Sequence, residues 1–355
     1  MDIEKKIKII KEVGEELIDE KELRELLLKK EHPVAYDGFE PSGRIHIAQG
    51  LMRAITVNKL TSAGIRFKFW VADWFALMNN KMDGDLEKIR AVGEYFVEVW
   101  KACGMDLDNV EFLWASENMD QEYWLRVIRI GTLTTVTRIT RCAQIMGRSE
   151  SEKLSAAQIF YPCMQAADIF HIGADIAQLG MDQRKVNMLA REIAPKMGYK
   201  KPIALHHHML MGLTPPKAEG LKGADAAIAK KMSKSNPDSS IFMTDSTQEI
   251  NAKFKKAFCP EGQVEDNPVL EYCRYIIFEK VDSFTIKRPE KWGGSLTFSS
   301  YEDLERSFVA KEVHPMDLKV ATAHYIDQLI APVRDHFKND PNAKAMLKKV
   351  ESFYA

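Results

Sequence analysis

Strand-like and helix-like stretches alternate along the first third of this chain, and that alternation limits its fold more than any other feature. Val34–Tyr36, IRFKFWVAD at 65–73 and VEFLWASE at 110–117 read as short buried strands, each following a helical segment. Strands joined by helical crossovers run parallel, so the pattern implies an α/β fold with helices on both faces of a parallel sheet. Ligands of such sheets lie beyond the carboxyl ends of the strands, which directs attention to the residues just after Tyr36, Ala72 and Trp114.

The chain has 355 residues, room for one large core and a smaller appendage. Its 50 basic and 51 acidic side chains give a formal charge of -1, which excludes a surface coated in positive charge for bulk nucleic-acid binding. Charge is nevertheless uneven. Residues 126–148 carry five arginines (126, 129, 138, 141 and 148) and no acid, and residues 184–235 carry eleven Lys/Arg against three Asp/Glu. Such patches suit a partner rich in phosphate, or they are solvated helix faces. No apolar run reaches the roughly 20 residues of a membrane span, and the first thirty residues are acidic and helical where a leader peptide is not. A cytoplasmic protein without membrane or DNA partners is expected. The five cysteines form no CxxC pair, which argues against a disulfide framework and a structural zinc.

Ile3, Ile7, Ile10, Val13 and Leu17 recur at helical spacing, and Leu23, Leu26 and Leu27 resume after a longer step, as one helix or two. A helix is expected to start near His46, after glycines 38 and 43. Another is expected from Pro162, at a first helical position, to about Phe170. Tyr161, Gln165 and Asp168 fall at i, i+4 and i+7, so they share one face. Polar groups on an otherwise apolar stripe either meet a ligand or form their own buried network. TPPKAEGLKGAD reads as an exposed loop leading to AKKMSKSNPDSS, and a mostly helical region starts near residue 245, where one of residues 244–247 caps a helix.

His46 after a glycine turn, and the lysine pair Lys231 and Lys234, are weak signals singly. Placed 185 residues apart around a parallel sheet, they are suited to embrace a polyphosphate. Here the chain resembles the class I aminoacyl-tRNA synthetases, specifically the archaeal and eukaryotic type of tyrosyl-tRNA synthetase. His46-Ile47-Ala48-Gln49 is similar to the HIGH signature, and Lys231-Met232-Ser233-Lys234-Ser235 matches KMSKS. YDGFEPSG at 36–43, the Tyr161/Gln165/Asp168 trio and GMDQRK at 180–185 carry the resemblance to tyrosine enzymes; RPEKWGG at 288–294 and VHPMDLK at 313–319 resemble their anticodon-reading segments.

The resemblance implies a Rossmann-like catalytic domain over 1–245, with a helical connective insertion at about 119–148, and an anticodon-binding domain over 246–355. It implies that Tyr36 and Asp168 bind the substrate phenol, and that Tyr161, Gln165 and Gln183 bind its amino group. Gly38, His46, Gln49, Asp182, Lys231, Met232, Ser233 and Lys234 would surround ATP, with His46, Lys231 and Lys234 acting on phosphate. Trp292 and His314 would stack on the first anticodon base and Asp317 hydrogen-bond it, while Arg138 and Arg141 meet the acceptor end of tRNA(Tyr). Mg²⁺ would arrive with ATP, zinc is not implied, and a homodimer formed about the insertion is.

Three departures stand out: Gln49 where the signature has a second histidine, Phe75 in ADWFA where relatives often have histidine, and a long 214–230 loop. His206-His207-His208 invites a metal reading, but no cysteine or carboxylate cluster accompanies it in sequence. The alternatives are a tryptophan enzyme of the same architecture, a nucleotidyltransferase that ignores tRNA, and a catalytically inert RNA-binding relative.

Overall fold

The structure, a computed structural model, describes residues 1–146, 153–216, 229–232 and 237–354. Its main sheet has six strands: β1 (Glu16–Ile18), β2 (Val34–Phe39), β3 (Arg66–Val71), β4 (Val110–Trp114), β5 (Ile176–Gly180) and β6 (Ile203–His207). They lie in the order β1-β6-β5-β2-β3-β4, all parallel except β1, which pairs antiparallel with β6 at one edge. The chain builds outward from β2 to β3 and β4, then returns to place β5 and β6 on the other side. The order thus reverses between β2 and β5, where a crevice opens above their carboxyl ends.

Local chemistry moves several expected boundaries. The amino-terminal pattern is two helices, Ile3–Val13 and Glu20–Lys29, separated by β1. Asp19, at φ 64°, turns the chain between them and caps the second by accepting from the N–H groups of Lys21 and Glu22. The helix expected from Pro162 begins six residues earlier, as Ala156–His171. Ser155 and Gln158 form a reciprocal capping box there, and the gain from satisfying two orphan donors sets the start while Pro162 is tolerated inside. The helix expected at His46 begins only at Leu51, ending at Ser62. His46 instead forms an isolated antiparallel bridge with Phe242, in which Ile47 N donates to Ile241 O (2.8 Å) and Met243 N to Ile45 O (3.0 Å), and a turn follows before the helix.

That short ladder ties the His46 turn to the segment beyond the lysine cluster, and Asp245 anchors it. The Asp245 carboxylate is fully buried and accepts from Arg44 Nη2 (3.1 Å), Lys253 Nζ (2.6 Å) and Phe242 N (2.9 Å). Lys253 belongs to the helix Thr247–Lys256, capped by Ser246 and Glu249, so the expected cap falls on Ser246. The rest of the tail is helical, ending in Tyr301–Val309, Pro315–Asn339 and Pro341–Glu351, with one addition: an antiparallel pair, β7 (Phe284–Ile286) and β8 (Leu296–Phe298). One apolar cluster runs from Ile7 through the sheet to Val350. Across it Tyr95 packs on Phe337 and His336 bonds to Glu98 (2.7 Å).

The three consecutive histidines diverge to separate partners. Buried His206 bonds to Glu16 (2.8 Å) and Asn187 (3.0 Å), and His207 to Gln178 (3.0 Å). His208 bridges Glu15 (3.0 Å) and Glu271 (3.1 Å), with its ring stacked on Tyr275 at 4.2 Å. Burial lowers the His208 pKa, but the hydrogen bonds and charges of the two glutamates outweigh it and push the value up to about 9. A histidine raised in this way contributes its full stabilisation below its unfolded value of 6.5 and loses it as pH rises through about 9. The melting temperature should therefore fall between about pH 7 and pH 9.5, and calorimetry should find a smaller fall in His208→Gln. Equal falls in the two proteins would remove His208 as the cause.

Candidate active site

The crevice between β2 and β5 holds a cavity of about 330 Å³, within the range of small-ligand sites. At its closed end Tyr36, the third residue of β2, donates to Asp168 Oδ2 (3.1 Å), and Tyr123 donates to Asp168 Oδ1 (2.8 Å). All three are essentially without solvent contact. Burial pushes the Asp168 carboxyl well above the usual carboxylate range, against the pull of hydrogen bonds from Tyr123 and Tyr36. Burial, and then the Asp168 charge, hold the Tyr36 phenol well above its ordinary value. Gly38 has a steric reason: a Cβ there would come 3.0 Å from the Tyr36 hydroxyl and close the space beside it.

The sequence trio does share one face of the helix Ala156–His171, and all three members line the cavity. Tyr161 donates to Glu40 Oε1 (2.6 Å), and Glu40 also meets Asn79 and Lys81. Gln165 Nε2 donates to Gln183 Oε1 (3.0 Å), and Gln183 Nε2 to Ile145 O (3.2 Å). Phe75 packs edge-on against Tyr161 at 4.8 Å, so the apolar residue at that departure steadies the Tyr161 ring.

His46 also lines the cavity, and its Nδ1 accepts from Gln49 N (3.4 Å). Gln49 is held through its carbonyl by Trp100 Nε1 (2.7 Å). Lys231 bonds to Asp182 (2.9 Å), whose charge is the leading cause of its raised pKa. Asp182 can fold toward the cavity because residue 180 is glycine; a Cβ there would lie 2.8 Å from Asp182 Oδ1. Met232 lines the same wall, whereas Ser233, Lys234 and residues 217–228 of the long loop lie outside the described residues.

Residues after β2 and β3 reach the cavity as expected, but those after Trp114 do not. The reason is topological: β4 is an edge strand, separated from β2 at the crevice by β3, and Ser116 beyond it is occupied in bonding Asp73. The ends of β5 and β6 line the site in their place. Sequence reasoning also passed over Tyr123, Glu40 and a buried pair in the cavity wall, Asp37 with Arg53 (2.9 Å). Burial raises the Asp37 pKa to about 6 despite Arg53. Glu40 and Asp37 sit inside the very motif YDGFEPSG that drew attention to Tyr36 and Gly38.

Far from the cavity, Trp292 is 66% exposed on the turn Glu290–Trp292. Arg288 bonds Gly294 O (3.0 Å) and Glu312 O (2.9 Å), joining this turn to the segment before His314. His314 caps the helix Pro315–Asn339 by accepting from Met316 N (3.2 Å), and Asp317 lies in its first turn. In the middle region Arg138 is paired with Glu192 (2.9 Å) while Arg141 is exposed; Arg148 is outside the described residues. The apolar side chains there divide. Val127, Ile130, Ile139, Ile145 and Met146 are buried within the chain, whereas Trp124, Leu125, Ile128, Leu133 and Val136 form an exposed set.

Among the described residues no three His, Cys, Asp or Glu converge on a metal position, and no helix is long and apolar enough to cross a membrane. The family model for tRNA synthetases class I (W and Y) matches residues 28–331. The cytoplasmic tyrosine–tRNA ligase 1 of Arabidopsis thaliana is 54% identical, covering 99% of this chain and 89% of that protein. A Pyrococcus horikoshii tyrosyl-tRNA synthetase solved with L-tyrosine aligns at a TM-score of 0.91 with 38% identity over 99% of this chain and all of that one. A Leishmania major tyrosyl-tRNA synthetase in complex with tyrosinol aligns at 0.90 with 46% identity, but this chain spans only 52% of that one.

Proposed function

The chain belongs to the tyrosine–tRNA ligases of the class I tRNA synthetase family, and we propose that it activates L-tyrosine with ATP and transfers the tyrosyl group to the 3′-terminal adenosine of tRNA(Tyr), in the cytoplasm. The observation that carries the substrate assignment is the Tyr36–Asp168 pair at the closed end of the cavity, a place for a phenolic hydroxyl. Tyr161, Gln165 and Gln183 take the ammonium group, with Glu40 drawing the Tyr161 proton and so strengthening its oxygen as an acceptor. This leaves the substrate carboxylate toward the His46 and Lys231 end.

A carboxylate oxygen then bonds to the α-phosphorus of ATP as the bond to the bridging oxygen breaks, giving tyrosyl-adenylate and pyrophosphate. A ribose hydroxyl of tRNA next attacks the activated carbonyl, and AMP leaves. Positioning and stabilisation of phosphate charge suffice for both steps, so no side-chain nucleophile is required. His46, Lys231 and Lys234 supply that stabilisation, and Gly38, Gln49, Asp182, Met232 and Ser233 complete the ATP site. Mg²⁺ would accompany ATP and offset phosphate charge, with no dedicated protein cage required of an ion that gives up its hydration reluctantly.

The catalytic region is 1–245 with its insertion at about 119–148, and 246–355 reads the anticodon. The exposed indole of Trp292 and the His314 ring offer stacking surfaces, and the Asp317 carboxylate matches the N1 and N2 donors of guanine. Arg141, with Arg138 behind it on Glu192, provides charge for acceptor-end phosphates. The exposed Trp124, Leu125, Ile128, Leu133 and Val136 pack against the same face of a second copy, giving a homodimer.

Three measurements test this reading. Tyrosine-dependent pyrophosphate exchange should exceed exchange with phenylalanine by more than about a hundredfold, because phenylalanine forfeits the hydrogen bonds that the phenol makes to Tyr36 and Asp168, at about 1–3 kcal/mol each. Asp168→Ala should lose tyrosine activation while retaining ATP binding, and activation of the two amino acids within about tenfold of each other would end the Tyr36–Asp168 assignment. Trp292→Ala and Asp317→Ala should leave exchange near normal but slow tRNA charging, with Asp317→Ala also relaxing preference at the first anticodon base; unchanged charging kinetics would remove the tail from recognition. Sedimentation equilibrium at micromolar concentration should show a dimer that Ile128→Asp dissociates, and a monomeric unmodified protein would refute the assembly.

A further inference from the structure

Beyond β6 the chain passes along the cavity wall, where His208 and Leu210 are among the lining residues. This stretch is the surface on which the lysine segment is laid. Gly212 N donates to Lys230 O (3.1 Å) and Met232 N to Leu210 O (3.1 Å), so Met211 and Lys231 face each other in an isolated antiparallel bridge. Two such hydrogen bonds are too few to hold a segment by themselves, since an isolated two-stranded pairing is marginal in water. Something else must fix the stretch that receives it.

That fixing comes from His208 and Glu271. One carboxylate oxygen of Glu271, in the helix Pro268–Tyr272, accepts both from Met211 N (2.9 Å) and from His208 Nε2 (3.1 Å). The other ring nitrogen of His208 reaches Glu15, ahead of β1, at 3.0 Å. Tyr275 covers the ring face. The imidazole thus joins three parts of the chain that are remote in sequence, and the shared glutamate oxygen carries the connection to the residue opposite Lys231. On the far flank Lys230 is bonded to Asp266, just ahead of the same helix. Lys231 is consequently presented from a backbone clamped on both sides, with its ammonium group directed to Asp182 in the cavity.

We propose that His208 is a positioning residue for tyrosine activation: bridging Glu15 and Glu271, it holds residues 208–212 in place and thereby sets the reach of Lys231 into the nucleotide end of the cavity. The inference rests on the assignment of Lys231 to phosphate stabilisation. A group acting only through Lys231 affects the rate through the transition state and leaves the residues assigned to tyrosine as they were.

The test is a double-mutant cycle on the full chain, measured by tyrosine-dependent pyrophosphate exchange with tyrosine binding followed separately. His208→Gln keeps a donor of similar reach and removes the charge and the ring; it serves where His208→Ala fails to fold. The expected result is a fall in kcat of about tenfold with the tyrosine dissociation constant within about twofold of the unmodified value. In a Lys231→Ala background the same substitution should cost nothing further. An unchanged kcat in His208→Gln, a comparable loss of tyrosine binding, or an undiminished additional loss in the Lys231→Ala background would overturn the proposal while leaving the assigned reaction intact. If Lys231→Ala itself retained full exchange activity, the role of Lys231 and this proposal would fall together.

Discussion

Asp168 is a carboxylate with almost no solvent contact, and the closed end of the cavity is organised by the need to satisfy it. Such a group is tolerated only if it is neutral or well hydrogen-bonded. Two phenols answer it from different directions, Tyr36 from the central strand β2 and Tyr123 from the helix Gln121–Thr132. Packing and polar satisfaction are therefore the same interaction here. The strand that brings Tyr36 also brings Gly38, whose missing side chain leaves the space beside the hydroxyl open.

The parts of the fold legible in sequence are those where a single periodicity governs a whole element. Strands β2, β3 and β4 are short apolar runs bounded by turns, and the Tyr161/Gln165/Asp168 stripe follows from helical geometry alone. What was hidden depends on partners distant in the chain. Nothing near residue 46 discloses that Ile45 and Ile47 are paired with residues 241 and 243, and that pairing displaces the helix start to Leu51. Pro162 misled for the opposite reason, since a local rule about proline yielded to a stronger local rule about capping at Ser155.

The site was legible to a similar degree. Many residues that line the cavity are found through motifs, whereas Glu40, Asp37 and Arg53 in its wall and Tyr123 behind it are not. Glu40 draws its importance from Tyr161, and Tyr123 from Asp168. In one dimension Tyr123 is merely one aromatic residue among the apolar positions of an amphipathic helix. A useful clue in hindsight is stoichiometric: a buried carboxylate with two oxygens demands more than the one donor that Tyr36 supplies.

The Asp245 junction gives the molecule a property that its division of labour hides. Arg44 comes from the loop that precedes His46, Lys253 from the first tail helix, and both lean on one buried carboxylate. The apolar cluster continues across that junction from Ile7 to Val350. Cutting the chain near residue 245 would lay bare half of a core on each fragment and strand charges in it. The region beyond residue 245 is thus a poor candidate for exchange as a cassette between proteins. Gene rearrangements that extend such a chain meet less resistance than those that split it, because added sequence leaves this seam closed.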